Sequence, residues 1–311
     1  MDTTWDCIVV GAGAAGLSAA LVLGRARRRT LVIDAGRQSN LPAHGVGGLL
    51  GHEGRPPAEL YAMGRAELAR LPSVEVRAGE VVDGAADAHG VSLRLAGGGG
   101  ERARRAILAT GMDYRPPALP GVAERWGHSV FHCPFCHGWE VRDRALGVLD
   151  RGASGARRAL LLGMWSADVT LFADGPAELD DADASRLRAA GVAVEERTVV
   201  GLRGPGDALT GVALDGGDVV PCEGLMVPAP LHQRSPLAER LGLATSPPTA
   251  VVADGLAVGP LGRTTSPVVL AAGDVTGAMQ SVAGAIAAGH AAAAGVVHSL
   301  VAEDHGLPEH P

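Results

Sequence analysis

After a short apolar run at residues 7–10 the chain reads Gly11-Ala12-Gly13-Ala14-Ala15-Gly16, then an Ala/Leu helix pattern at residues 14–25 and a second apolar run at residues 30–33. Few folds accept that order. The glycines allow a tight turn, a close backbone approach to a pyrophosphate and close packing of helix on sheet. The new helix then points its unpaired amides and positive dipole end at the phosphates. Asp34 stands 18 positions beyond Gly16 and closes the second run, where its carboxylate can accept hydrogen bonds from ribose hydroxyls. Glycines at this spacing are weak evidence alone, but with strand, helix and acid around them they predict a βαβ dinucleotide unit in an α/β protein.

With 311 residues, 47% of them hydrophobic, the chain can bury the cores of two modest domains. Aromatics at 3% weaken any case for nucleic-acid stacking. Net charge is −7 and Lys is absent, so every basic side chain other than His is Arg. The clusters Arg25, Arg27, Arg28, Arg29 and Arg102, Arg104, Arg105 read as solvated surface. No apolar run approaches the ~20 residues of a membrane span, so neither membrane nor nucleic acid is an expected partner. The sequence starts into a strand without a secretory leader pattern, which places the protein in the cytoplasm as an expectation. Cys7 and Cys222 lie singly in apolar surroundings and read as small buried hydrophobes.

Residues 42–54 are Gly-rich and irregular, a loop length that usually serves a ligand, and His44 and His52 lie on it. A helix pattern at 57–70, a strand at 74–77 and a hairpin through 91–95 and 97–100 lead to a returning strand at 104–109. Pro116, Pro117 and Pro120 then break the pattern, and residues 228–236 form a second proline-rich stretch. Between them strands are expected at 145–149, 169–172, 192–194 and 209–214, with a helix through Leu162; beyond lie a strand at 268–271 and an Ala-rich helix beyond Val282. The expected organisation is a discontinuous domain, 1–117 with 246–311, and an inserted domain, 118–245. Each half opens strand-turn-helix, as two diverged copies of one unit would.

Cys133-Pro134-Phe135-Cys136 is the most chemically informative stretch, because two intervening residues let the sulfurs meet as an easily exchanged disulfide. Zinc is the competing reading, with His132 or His137 as further ligands, but the geometry is crowded and no second distant pair completes the set.

Ala109-Thr110-Gly111 after one strand and Ala271-Ala272-Gly273-Asp274 after a late one, in this order around the cysteine pair, resemble the two-domain flavoprotein disulfide reductases. The resemblance implies two Rossmann-like domains of the low-molecular-weight thioredoxin reductase type, and FAD as cofactor. By it, FAD is bound by Gly11, Gly13, Ala14, Ala15, Gly16, Asp34, Ala35, Asn40, Ala109, Thr110, Gly111, Gly273 and Asp274. The amides around Gln280, Ser281 and Val282 would start a helix pointing at the isoalloxazine. It also implies that Cys136 abuts the flavin while Cys133 exchanges with substrate, and that the protein is a homodimer.

Two departures redirect the functional reading. Thioredoxin reductases carry an Asp after the second cysteine; here His137 takes that place, and a neutral imidazole can accept a thiol proton. Where their second glycine-rich turn would receive NADPH, this chain has Asp150-Arg151-Gly152-Ala153-Ser154-Gly155, which sets a carboxylate and a bulky Arg against the pyrophosphate. Phe172-Ala173-Asp174-Gly175 after the next strand lacks arginines for a 2′-phosphate. With Cys133-Pro134-Phe135-Cys136-His137-Gly138-Trp139-Glu140, residues 32–37 and Asn40, the whole chain resembles the thioredoxin-reductase-like dithiol oxidases that close holomycin-type and gliotoxin-type disulfides. That resemblance implies a small-molecule dithiol substrate, dioxygen as acceptor and hydrogen peroxide as product. A reductase fed by NADPH or another donor, and a non-catalytic redox-sensing flavoprotein, are the alternatives.

Overall fold

A computed structural model describes residues 5–308. β1 (Trp5–Val10), α1 (Ala14–Arg25) and β2 (Thr30–Asp34) form the expected βαβ unit, with Cys7 opposite Thr30 and Val10 opposite Ile33 in a parallel ladder. There follow α2 (Pro57–Leu68), β3 (Val74–Ala78), β4 (Val81–Asp87), β5 (Gly90–Leu95), β6 (Gly100–Leu108) and β7 (Met112–Tyr114).

The next stretch holds β8 (Val130–Phe131), α3 (Pro134–His137), β9 (Leu146–Leu149), α4 (Gly152–Leu162), β10 (Val169–Phe172), α5 (Asp181–Ala189) and β11 (Ala193–Glu195). It continues through β12 (Val199–Arg203), β13 (Gly211–Leu214), β14 (Val219–Pro221) and β15 (Gly224–Met226). The chain closes with β16 (Leu231–Gln233), α6 (Leu237–Arg240), β17 (Val269–Ala271) and α7 (Val282–His305).

Two compact units result, one built from residues up to Leu41, Arg55–Tyr114 and residues from Leu231 on, the other from Pro42–Gly54 and Arg115–Pro230. Two boundaries differ from the sequence expectation. The return comes at Leu231 rather than residue 246, because β16 pairs antiparallel with β7 and Leu237, Ala238 and Leu241 join the first unit's core. The loop Pro42–Gly54 groups with the second unit, where Pro42 backs onto Gly127 and Gly47 onto Cys136.

In the first unit β3-β2-β1-β6 run parallel, and the nine-residue β6 serves two partners on its far side: its start pairs with β5 and its end with β17. Alternation decides the layers. Cys7, Val9 and Val32 face α1 and α7, while Ile8, Val10, Leu31 and Ile33 face the β4–β5 side and α6. β4 lacks a long apolar alternation, which is why the sequence hid it; its Gly84 lets the strand lie against Leu93.

The second unit repeats the plan with a parallel sheet, β11-β10-β9-β15-β8, and an antiparallel meander, β12-β13-β14. The common plan agrees with two diverged copies of one unit.

Two surface expectations are corrected. Arg105 is buried, donating from Nε to Ser299 Oγ at 2.9 Å and pairing with Glu303 at 2.8 Å, because β6 lies beneath α7. α7, at 24 residues, is long and apolar enough by length and composition to cross a membrane, contrary to the expectation that no such run exists. Its Ala/Gly/Val content serves packing instead: Ala292, Ala293, Val296 and Leu300 belong to the core formed with α1. At the crossing a Cβ on Gly289 would stand 2.0 Å from the Ala15 carbonyl oxygen. Gly289→Val is therefore expected to force the helices apart and cost about 1–3 kcal/mol or more, read as a lowered denaturation midpoint at unchanged secondary structure.

Candidate functional site

In the first unit three loops converge on the N-terminus of α1. Gly11 has φ +102°, and a Cβ there would lie 2.3 Å from the Ala109 carbonyl oxygen; a Cβ on Gly16 would meet Gly11 O at 1.8 Å. Gly273, at φ +82°, approaches Ala15, where a Cβ would be 2.9 Å from the Ala15 Cβ. Ala109, Thr110 and Gly111 leave the end of β6, and Ala35 leaves the end of β2. Ala14, Ala15 and Gly16 form the first turn of α1, which has neither a side-chain cap nor an acidic residue, so its amides remain directed at whatever the turn receives.

The Asp34 carboxylate accepts from the Ala12 amide at 3.1 Å and from Gln38 Nε2 at 3.1 Å, so it braces the turn while retaining acceptor capacity for a hydroxyl. Asn40 Oδ1 accepts from Tyr61 OH at 2.8 Å, and burial pushes the Tyr61 hydroxyl up to about 12. Asp274 is held largely out of water, which raises its pKa, and receives the Tyr114 hydroxyl at 2.9 Å. A buried carboxyl beside this turn fits the polar chain of a flavin dinucleotide. Ser281 caps α7 by accepting the Gly284 amide at 3.0 Å; Val282 opens the helix, and Gln280 bonds the Ala278 carbonyl. Gln38, Tyr61 and Tyr114 were not legible as site residues, since each acts through a partner distant in sequence.

The second unit carries the cysteines. β8 delivers the chain to Cys133, the N-cap of α3, with Pro134 as the first helical residue and Cys136 one turn on. Both are free thiols in the structure. A hydrogen bond from Cys136 lowers the Cys133 pKa against the opposing effect of burial, with further help from the Cys136 and Phe135 amides. The Cys133 thiolate is thereby favoured, and with it Cys133 as a leaving group. Cys7 and Cys222 are fully buried, and burial raises both thiols, Cys222 to about 12.

The His137 ring stacks on Phe131 at 5.6 Å, and its Nε2 lies 3.2 Å from the Gly127 carbonyl. A carbonyl can only accept, so in this contact Nε2 carries the proton. The ring's Nδ1 is buried with no hydrogen-bond partner. Burial lowers the His137 pKa, opposed in part by Glu140 and by the Gly127 and Cys133 backbone, and so favours the neutral ring.

His132 stacks on Trp126 at 5.7 Å, and burial brings its pKa down to about 4. Below pH 6.5 the unfolded chain takes up a proton that folded His132 refuses, so stability should fall by roughly 3 kcal/mol between pH 6.5 and 4. His132→Gln should flatten that part of a denaturation-versus-pH curve.

Two exposed aromatics flank the pair: Phe135 is 69% exposed and packs edge-on against Trp165, and Trp139, 62% exposed, has the Arg142 guanidinium 3.8 Å above its ring. A Cβ on Gly47 would be 2.6 Å from the Cys136 carbonyl oxygen, so the 42–54 loop lies on the backbone of the pair.

The turn before α4 differs from that before α1. The first amide of α4, on Gly152, donates to the Ala177 carbonyl at 2.8 Å. Asp150 accepts the Arg151 amide at 2.9 Å and pairs with Arg158. The Arg151 guanidinium crosses to the Asp174 carbonyl at 2.7 Å and approaches Glu178. An arginine therefore does stand beside Asp174 and Gly175, although the sequence after β10 lacks one; it comes from the turn and is already engaged. The covering loop is held by Glu196, which accepts the Ala177 amide at 2.8 Å, and it includes two non-glycine residues at positive φ, Asp174 and Glu178. The first amide of this turn, of the kind that receives a phosphate at a glycine-rich turn, is thus already bonded to the protein's own chain.

A dinucleotide cradle in one unit and a polarised cysteine pair in the other define a flavin-dependent disulfide oxidoreductase. The chain belongs to the pyridine nucleotide-disulphide oxidoreductase family, which it matches over residues 5–289, and it is an FAD-binding protein with the thioredoxin reductase-like fold. It is 32% identical to thioredoxin reductase tcpT of Claviceps purpurea, over 97% of this chain and 96% of that protein. It is 29% identical to thioredoxin reductase aclD of Aspergillus oryzae, over 96% and 98%. Among solved structures HlmI is 39% identical with a TM-score of 0.90, over 97% of this chain and 94% of that one. An oxidoreductase from Agrobacterium tumefaciens is 34% identical with a TM-score of 0.90, over 96% and 99%.

Proposed function

We propose that the protein oxidises a small-molecule dithiol to its intramolecular disulfide through Cys133 and Cys136, with dioxygen as the final acceptor. The observation that carries this reading is the turn before α4, where Ala177 occupies the first helical amide and a carboxylate and an arginine, Asp150 and Arg151, stand where a nicotinamide dinucleotide's phosphates would need close backbone approach. Without that donor site, electrons enter from the thiol side.

A substrate thiol gives its proton to His137 and attacks the Cys133 sulfur of the enzyme disulfide, expelling Cys136 as thiolate. The second substrate thiolate then attacks the substrate sulfur of the mixed disulfide. Cys133 leaves, aided by its lowered pKa, and the ring closes. FAD, held at the Gly11–Gly16 turn beside Asp34 and Asp274, would supply the two-electron acceptor for re-forming the Cys133–Cys136 disulfide, with dioxygen as final acceptor. Overall, one dithiol and one dioxygen give one cyclic disulfide and one hydrogen peroxide. Phe135 and Trp139 offer apolar faces beside the thiols, suited to a compact, partly apolar substrate.

The test is the flavin spectrum of the purified protein, without air and then with it, after addition of NADPH or of a cyclisable dithiol. Bleaching by the dithiol alone, reversed by air with peroxide equal to disulfide, is the expected result. Prompt bleaching by NADPH would overturn it and favour the reductase activity that the names of tcpT and aclD state for those relatives.

A further inference from the structure

Outside the dithiol centre, the second unit gathers three metal-ligand side chains from separate segments. His44 comes from the loop Pro42–Gly54, His128 from the turn before β8 and Asp207 from the β12–β13 connection. His44 Nε2 lies 3.1 Å from Asp207 Oδ2, and His128 Nδ1 lies 3.7 Å from the same oxygen. The two imidazole centroids are 4.1 Å apart, and the three ligand atoms lie within 4.8 Å of one another. Donors about 2.0–2.1 Å from a tetrahedral zinc stand about 3.3 Å from each other, so little movement is needed to close the set.

The site is built as well as clustered. Ser129 Oγ donates to the Asp207 carbonyl at 2.5 Å. Buried Arg125 donates to the Ala208 and Gly121 carbonyls, each at 3.0 Å, and to that of Gly204. His128 and Asp207 are thereby fixed on one frame. Nδ1 of His128 is buried and has no hydrogen-bond partner, an unmet polar atom aimed at the cluster. His44 is 76% exposed on its loop and supplies the movable third ligand. Two imidazoles and one carboxylate suit a divalent first-row metal and leave coordination positions open to water.

We propose that His44, His128 and Asp207 bind a divalent transition-metal ion that pins the Pro42–Gly54 loop and restrains access to the cysteine pair. Two short links carry the coupling. Gly47, three residues beyond His44, lies on the Cys136 backbone, and Gly127, immediately before His128, holds the His137 ring. The inference does not depend on dithiol oxidation, because metal uptake is measured without turnover.

Zinc is the probe. Full-length, FAD-loaded protein carrying Cys133→Ser and Cys136→Ser, so that thiols cannot compete for metal, is stripped with a chelator and titrated calorimetrically with Zn²⁺. One ion per chain is expected, with affinity lowered on the order of tenfold or more by His44→Ala or Asp207→Asn. His44 is an exposed loop residue, so its variant tests the site without threatening the fold. No uptake, or uptake indifferent to both substitutions, overturns the site. In the unsubstituted protein, starting from the disulfide form, Zn²⁺ should slow reduction of the pair by a phosphine severalfold, and His44→Ala should abolish that slowing. A reduction rate unchanged by bound zinc overturns the restraint.

Discussion

Serine at position 136 is expected to reduce dithiol oxidation by on the order of a thousandfold or more, and serine at position 133 by a comparable factor. The two sulfurs form one device: either alone can hold a substrate sulfur, but neither alone can carry away the electron pair of the new disulfide. The Cys133→Ser/Cys136→Ser double variant should therefore be no worse than either single one, measured as peroxide formed per enzyme with a cyclisable dithiol. Additive losses, or a Cys136→Ser protein at full rate, would end the dithiol mechanism. A finer reading separates chemistry from pKa. The Cys136 hydrogen bond is the main cause of the lowered Cys133 pKa, and a serine hydroxyl can donate in its place whereas alanine cannot. At pH 7 iodoacetamide should accordingly alkylate Cys133 faster in Cys136→Ser than in Cys136→Ala. Cys7 and Cys222 are buried with raised pKa values and should contribute little to the signal.

What the sequence made legible were features whose physics is local. The glycine turn, α1 and the ladder of β1 with β2 follow from period and spacing, and α1 ends at Arg25 as its pattern predicts. Asp150 and Arg151 could be judged beforehand because a glycine-rich turn fails when bulk and negative charge replace its glycines. The sequence could not show that Gly152 finds its acceptor in Ala177, a residue 25 positions further along, on a loop closed by Glu196. The same limit hid β4, whose small residues acquire meaning only against β5, and the burial of Arg105, whose partners lie on α7. Gly127 and Phe131, which set the tautomer and plane of His137, are likewise products of tertiary structure. Local chemistry identified the cysteine pair; the hydrogen bonds that lower the Cys133 pKa came only with the fold.

His137 separates a chemical role from a structural one, and its two substitutions should diverge. His137→Ala is expected to lower the rate at pH 7 on the order of a hundredfold, the usual worth of a positioned base. The pH dependence carries the sign. Because burial places the His137 pKa below its ordinary value, the unsubstituted enzyme should stay active through pH 6.5 and lose rate only as acid protonates the ring below that point. Without the imidazole the inflection that belongs to the ring disappears. The rate should instead climb with pH as the substrate thiol ionises unaided, so the deficit narrows toward the alkaline side. A ring serving only to fill space against Phe131 and tie down Gly127 would behave otherwise, with a loss equal at every pH and matched by a fall in thermal stability. His137→Gln decides between them: its amide can still donate to the Gly127 carbonyl but cannot take up a proton near neutrality. If His137 is the base, this variant keeps the stability and loses that inflection. Recovery of both rate and inflection in glutamine would assign the proton to another group.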